Sequence, residues 1–148
     1  MEAMAPTLSE QTRQLVRASV PALQKHSVAI SATMYRLLFE RYPETRSLFE
    51  LPERQIHKLA SALLAYARSI DNPSALQAAI RRMVLSHARA GVQAVHYPLV
   101  WECLRDAIKE VLGPDATETL LQAWKEAYDF LAHLLSTKEA QVYAVLAE

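Results

Sequence analysis

The chain has 148 residues, 16 Lys and Arg against 16 Asp and Glu, and a formal net charge of zero. That balance excludes an electrostatic grip on nucleic acid or on an anionic membrane, which rests on a clustered excess of basic residues. With 51% hydrophobic and 22% charged residues the composition is that of one globular domain with a proper core, and no apolar run is long enough to span a bilayer.

Met1 to Thr7 carries Glu2 and no basic-then-apolar pattern, so no secretory signal is expected and the cytoplasm is the expected compartment. Cys103 is the single cysteine. It has no cysteine partner for a disulfide or a metal cluster, and reads as a small buried hydrophobe.

The helical period runs through the whole chain. Residues 1–8 form a short N-terminal arm, and Thr7 or Ser9 caps the first helix, Thr7 with Glu10 fitting a capping box. That helix is expected to continue past Pro21 with a kink. The next apolar stripe, Ile30, Met34, Leu37 and Leu38, stops before Pro43, which opens a short turn to Phe49. A third long helix carries Ile56, Leu59, Leu63, Leu64, Ala67 and Ile70. Pro73 opens a fourth at a first-turn position, with Leu76, Ala79, Ile80, Met83 and Val84 on one face. Pro98 starts the fifth, through Val100, Leu104, Ala107, Ile108, Val111 and Leu112. Pro114, Asp115 and Thr117 introduce the last, which reaches nearly to the C-terminus. The only glycines, Gly91 and Gly113, each fall just past an amphipathic stretch, as helix stop signals. No segment alternates like a strand, so the fold class is all-α, in one domain over residues 1–148.

The most informative residue is His87, which continues the apolar stripe of the fourth helix. A neutral imidazole facing an apolar interior needs partners for its nitrogens. Tyr97 follows at the start of the next helix, and Glu139 lies in register with Tyr128, Leu131 and Leu135 on the last. An inward histidine backed by a carboxylate and a phenol suggests a metal ligand with its supporting shell. Taken alone, each has a plainer reading: His87 as a hydrogen-bonded core residue, Tyr35 as a packing residue, Tyr97 as a helix-start aromatic, Glu139 as a solvated charge. Trp101, Trp124 and Phe130 read as packing, and His26, His96 and His133 as surface or capping residues.

These residues, in their order and spacing from roughly Ser9 to Glu148, resemble the globin fold. The resemblance is closest to bacterial single-domain haemoglobins, which are similar to the globin domain of flavohaemoglobins. It is carried by Met34-Tyr35-Arg36-Leu37-Leu38-Phe39, Leu48-Phe49, Arg54-Gln55 with Leu59, and His87 with Ala90-Gly91-Val92. His96-Tyr97-Pro98, Lys109 to Gly113, Ala123-Trp124, Ala127-Tyr128 and Glu139 complete it.

The resemblance implies haem b (iron protoporphyrin IX) held between the Ile56 helix and the His87 helix. His87 maps to the proximal iron ligand, Phe49 to the aromatic residue on the porphyrin face, and Tyr97 and Glu139 to the proximal partners. Tyr35, Gln55 and Leu59 map to the distal ligand pocket, Tyr35 and Gln55 as hydrogen-bond donors and Leu59 as a limit on space. Only six positions separate Phe49 from Gln55, and an outward swing of Gln55 would leave Tyr35 as the main donor. His57 and Lys58 lie beside this pocket, within reach of a propionate or of solvent.

Three functions follow as expectations. The first is reversible binding of dioxygen for storage, transport or delivery, with nitric oxide and other diatomic molecules as further ligands. The second is enzymatic: dioxygenation of nitric oxide to nitrate, with re-reduction by a separate reductase, since no Gly-rich dinucleotide loop is present. The third is a sensor or interaction module on a globin scaffold, with or without haem. Neither nucleic acid nor stable membrane insertion is expected, and the chain reads as a monomer or a homodimer.

Overall fold

The computed structural model describes residues 8–49 and 52–146. Six α-helices account for most of them, and no strand occurs among the described residues. In chain order they are α1 (Glu10–Ala18), α2 (Val20–Arg41), α3 (Pro52–Arg68), α4 (Pro73–Ala90), α5 (His96–Leu112) and α6 (Glu118–Leu146). Short 3-10 turns, Pro43–Leu48 and Gly113–Asp115, follow α2 and α5. No helix among the described residues is long and apolar enough to cross a membrane.

Local chemistry sets most of the boundaries. Ser9 caps α1, its Oγ accepting from the Thr12 N–H at 3.1 Å; Thr7, the alternative cap, lies outside the described residues. The expected kinked helix through Pro21 is instead broken at Ser19, between α1 and α2. The break puts Pro21 in the first turn of α2, where its missing N–H leaves no helical bond unmade. The buried Ser19 hydroxyl donates to Val16 O and accepts from Trp124 Nε1 at 3.1 Å, so the junction is satisfied internally.

Tyr42 ends α2 with φ −133° and ψ 71°, outside the helical region that the following Pro43 disfavours. Asn72 caps α4 through a bond from the Ala75 N–H at 3.2 Å. Gly91 closes the same helix in the left-handed region at φ 85°, and the Val92 N–H donates to His87 O at 3.0 Å. The fifth helix begins at His96, two residues before the expected Pro98. Its first turn tolerates proline, and His96 Nδ1 accepts from the Gln93 N–H at 2.9 Å.

The core has two parts. The larger joins α2, α3, α5 and α6 through Ile30, Met34, Leu63, Ala67, Leu104 and Ala127. Each large aliphatic side chain removed from water here contributes roughly 1.5–3 kcal/mol. Cys103 is fully buried, as its plain reading required. The smaller cluster, Ile80, Val84, Val92, Tyr97 and Leu135, joins α4 and the start of α5 to α6. Thus α3 is carried by α2 and α4 by α6, with no substantial packing between α3 and α4. His87 stands on α4, and Gln55 and Leu59 stand on α3.

Candidate functional site

His87, Tyr97 and Glu139 come from three helices and meet at one point. His87 Nδ1 lies 3.0 Å from Glu139 Oε2 and 3.0 Å from Tyr97 Oη. The Tyr97 hydroxyl donates to Glu139, at 2.7 Å to Oε1 and 2.9 Å to Oε2. A phenol has one proton, which Tyr97 gives to the carboxylate. The imidazole therefore donates from Nδ1 to Glu139, and the neutral tautomer leaves the Nε2 lone pair free.

Burial is uneven across the three. Glu139 is 2% exposed, whereas the His87 side chain is 33% exposed. The carboxylate is thus sealed behind the imidazole, and the imidazole itself is reachable. Burial first, and then the hydrogen bond to Glu139, push the Tyr97 phenol far above its ordinary range. Tyr97 remains a neutral donor under all ordinary conditions.

Two tyrosines on α6, Tyr128 and Tyr143, neither of them among the expected site residues, brace this cluster. Tyr128 Oη donates to Tyr97 O at 2.8 Å, and Tyr143 Oη donates to Val92 O at 2.7 Å. With Glu139 they tie α6 to both ends of the corner between α4 and α5. Their spacing on the apolar face of α6 was a signal of burial. It carried none of their acceptors, which are backbone carbonyls.

On the other side, Tyr35 of α2 is 7% exposed and meets Phe49 edge-on, with ring centroids 5.2 Å apart. Phe39 completes the group at 5.8 Å from Tyr35 and 5.9 Å from Phe49. Burial raises the Tyr35 phenol above its ordinary range. Gln55 and Leu59 are half-buried on α3, and Leu59 packs against the larger core. Among the described residues no hydrogen bond joins Gln55 to Tyr35. The neighbouring His57 and Lys58 are exposed.

The residues fall into two groups, His87–Tyr97–Glu139 and Tyr35–Phe49, with Gln55 and Leu59 on the separate wall formed by α3. A groove of about 910 Å³ runs along the far side of α4, between Ile80, Val84, Leu134 and Val142. None of His87, Tyr97 and Glu139 lines it, and its polar lining is Gln77, Arg81, Lys138 and Gln141. Among the described residues no cluster of three His, Cys, Asp or Glu side chains could hold a bare metal ion. An ion at His87 would take its remaining ligands from a non-protein group.

Comparison with known proteins places the fold in a family. A family model described as Globin matches residues 32–135. An uncharacterized globin-like protein of Aquifex aeolicus is 49% identical over 138 residues, covering 93% of this chain and 98% of that one. The flavohemoprotein of Chromobacterium violaceum is 45% identical over 140 residues, covering 92% of this chain but only 35% of its own. The chain therefore spans about a third of that relative's length. Among solved structures, an engineered carbene transferase built on a provisionally named nitric oxide dioxygenase of Rhodothermus marinus is 99% identical. It superposes with a TM-score of 0.93, covering 96% of this chain and 100% of that one.

Proposed function

The chain belongs to the globin family, and from that premise we propose that it binds haem b through His87 and reversibly takes up dioxygen. When re-reduced by a separate reductase it dioxygenates nitric oxide to nitrate. The observation that carries this reading is the pair of bonds tying His87 and Tyr97 to the buried Glu139 carboxylate.

The residues present fit the group. His87 offers a free Nε2 on a partly exposed ring whose Nδ1 is engaged by Glu139. Haem, when bound, would supply an iron centre that takes up diatomic gases and changes oxidation state. His87 would hold it through Nε2. Glu139 accepts the Nδ1 proton, which raises the basicity of the imidazole and fixes its orientation. Tyr97 holds the carboxylate in place, and burial keeps water from competing for it. A strongly donating histidine favours redox chemistry over passive carriage, and this supports the nitric oxide reading.

Phe49 covers one face of the pocket and holds the Tyr35 ring by its edge. Tyr35 keeps its proton and presents an O–H donor to a polar ligand, with Gln55 as a second donor from α3. A hydrogen bond of this kind to a partly anionic ligand is worth roughly 1.5–3 kcal/mol. Leu59 limits the space beside them. The name of the Rhodothermus marinus protein supports the choice of nitric oxide as substrate.

The deciding experiment is an optical spectrum of the purified, haem-supplied protein, reduced and then exposed to air. A stable oxygenated spectrum supports the reading. Failure to retain haem, or its retention by His87→Ala with an unchanged spectrum, overturns it.

A further inference from the structure

Ser31 is 0% exposed, inside α2, one helical turn before Tyr35. A serine within a helix commonly bonds the carbonyl four residues back on its own helix. Ser31 does not. Its Oγ donates to Ile56 O at 2.7 Å, across to α3. Ile56 is the neighbour of Gln55 and lies three residues before Leu59. One hydroxyl therefore joins the helix of Tyr35 to the first turns of the helix that carries the other two distal residues.

We propose that Ser31 is a positioning residue for ligand binding, setting where the start of α3 stands relative to Tyr35. This rests on the assignment of Tyr35, Gln55 and Leu59 to the distal pocket made above. The physical case has three parts. A buried hydroxyl must find an acceptor, and a helix carbonyl has a second lone pair to offer. The bond is short, and its donor Ser31 is buried while Ile56 is half-buried, so it resists sliding of α3 along α2. Its two ends lie within one turn of Tyr35 and of Gln55, so a displacement of α3 reaches the pocket directly.

The test uses the haem-loaded ferrous protein with carbon monoxide, whose stretching frequency reports the field of the distal donors. Ser31→Ala removes the hydroxyl, and Ser31→Cys keeps the volume with a weaker donor. Ser31→Ala is expected to shift or split the carbon monoxide band and to speed oxygen dissociation about 2- to 10-fold. Ser31→Cys is expected to fall between it and the native protein. In a Tyr35→Phe background the effect of Ser31→Ala should largely vanish. A native band in Ser31→Ala with a lowered melting temperature would overturn the proposal and leave Ser31 as packing only. An undiminished shift in the Tyr35→Phe background would also overturn it. If Tyr35→Phe by itself leaves band and dissociation rate unchanged, the distal assignment fails instead, and the two failures are separated.

Discussion

Glu139 Oε2 stands 3.0 Å from His87 Nδ1 across 52 residues of sequence, and Glu139 is 2% exposed. A carboxylate so placed is held by its partners, because an unpaired buried charge is strongly unfavourable. Its removal from the pair has a spectroscopic consequence. Glu139→Gln replaces an anionic acceptor with a neutral amide of the same shape. The iron–histidine stretching frequency of the haem-loaded protein is expected to fall, as read by resonance Raman. An unchanged frequency would show that Glu139 does not act on His87.

Tyr97→Phe tests the other half of the same cluster. The substitution keeps the ring in the smaller core and deletes the donor to Glu139. The carboxylate is then left with one fewer buried partner, at an expected cost of about 1.5–3 kcal/mol for a bond to a charged group. Urea denaturation measures it. A loss below about 0.5 kcal/mol would mean that the bond is replaced, by water or by rotation of Glu139.

Tyr35→Phe is expected to raise the oxygen dissociation rate about tenfold or more, the loss of one charge-assisted bond. Stopped-flow displacement of oxygen by carbon monoxide gives the rate. Should Gln55→Leu raise it while Tyr35→Phe leaves it alone, the two donors have exchanged roles and α3 holds the main one.

Alkaline pH reaches the fold through its tyrosines. Tyr35, Tyr66, Tyr97 and Tyr128 all have phenols raised above the ordinary 10.0, with burial the largest cause in each. The folded chain thus keeps protons that the unfolded chain releases above pH about 10. Stability from these groups is fully present below that pH and is lost as pH climbs towards the folded values. Each adds a slope of about 1.4 kcal/mol per pH unit in that window. Their phenolate absorbance should therefore appear together with loss of helical circular dichroism. Ionisation of all six tyrosines near the ordinary value, with helix intact, would contradict their burial.

The amino-acid sequence by itself determined the all-α class and the inward placing of His87, Tyr97 and Glu139. These follow from a 3.6-residue period and from the mismatch of a polar side chain on an apolar face, both local properties of the chain. The globin resemblance, and with it the place of Tyr35, came from the order and spacing of whole motifs along the chain. Helix ends at Ser9, Asn72 and Gly91 were equally local, since the cap and its bond lie within a few residues.

Tertiary structure alone decided the break at Ser19, where a distant Trp124 completes the hydrogen bonding that lets the helix end. It also decided the bonds from Tyr128 to Tyr97 O, from Tyr143 to Val92 O and from Ser31 to Ile56 O. Each acceptor is a backbone carbonyl, and every residue carries one. A side-chain donor marks itself in the sequence by its type, whereas a carbonyl acceptor carries no residue identity. Only the crossing of the helices selects which carbonyl it will be.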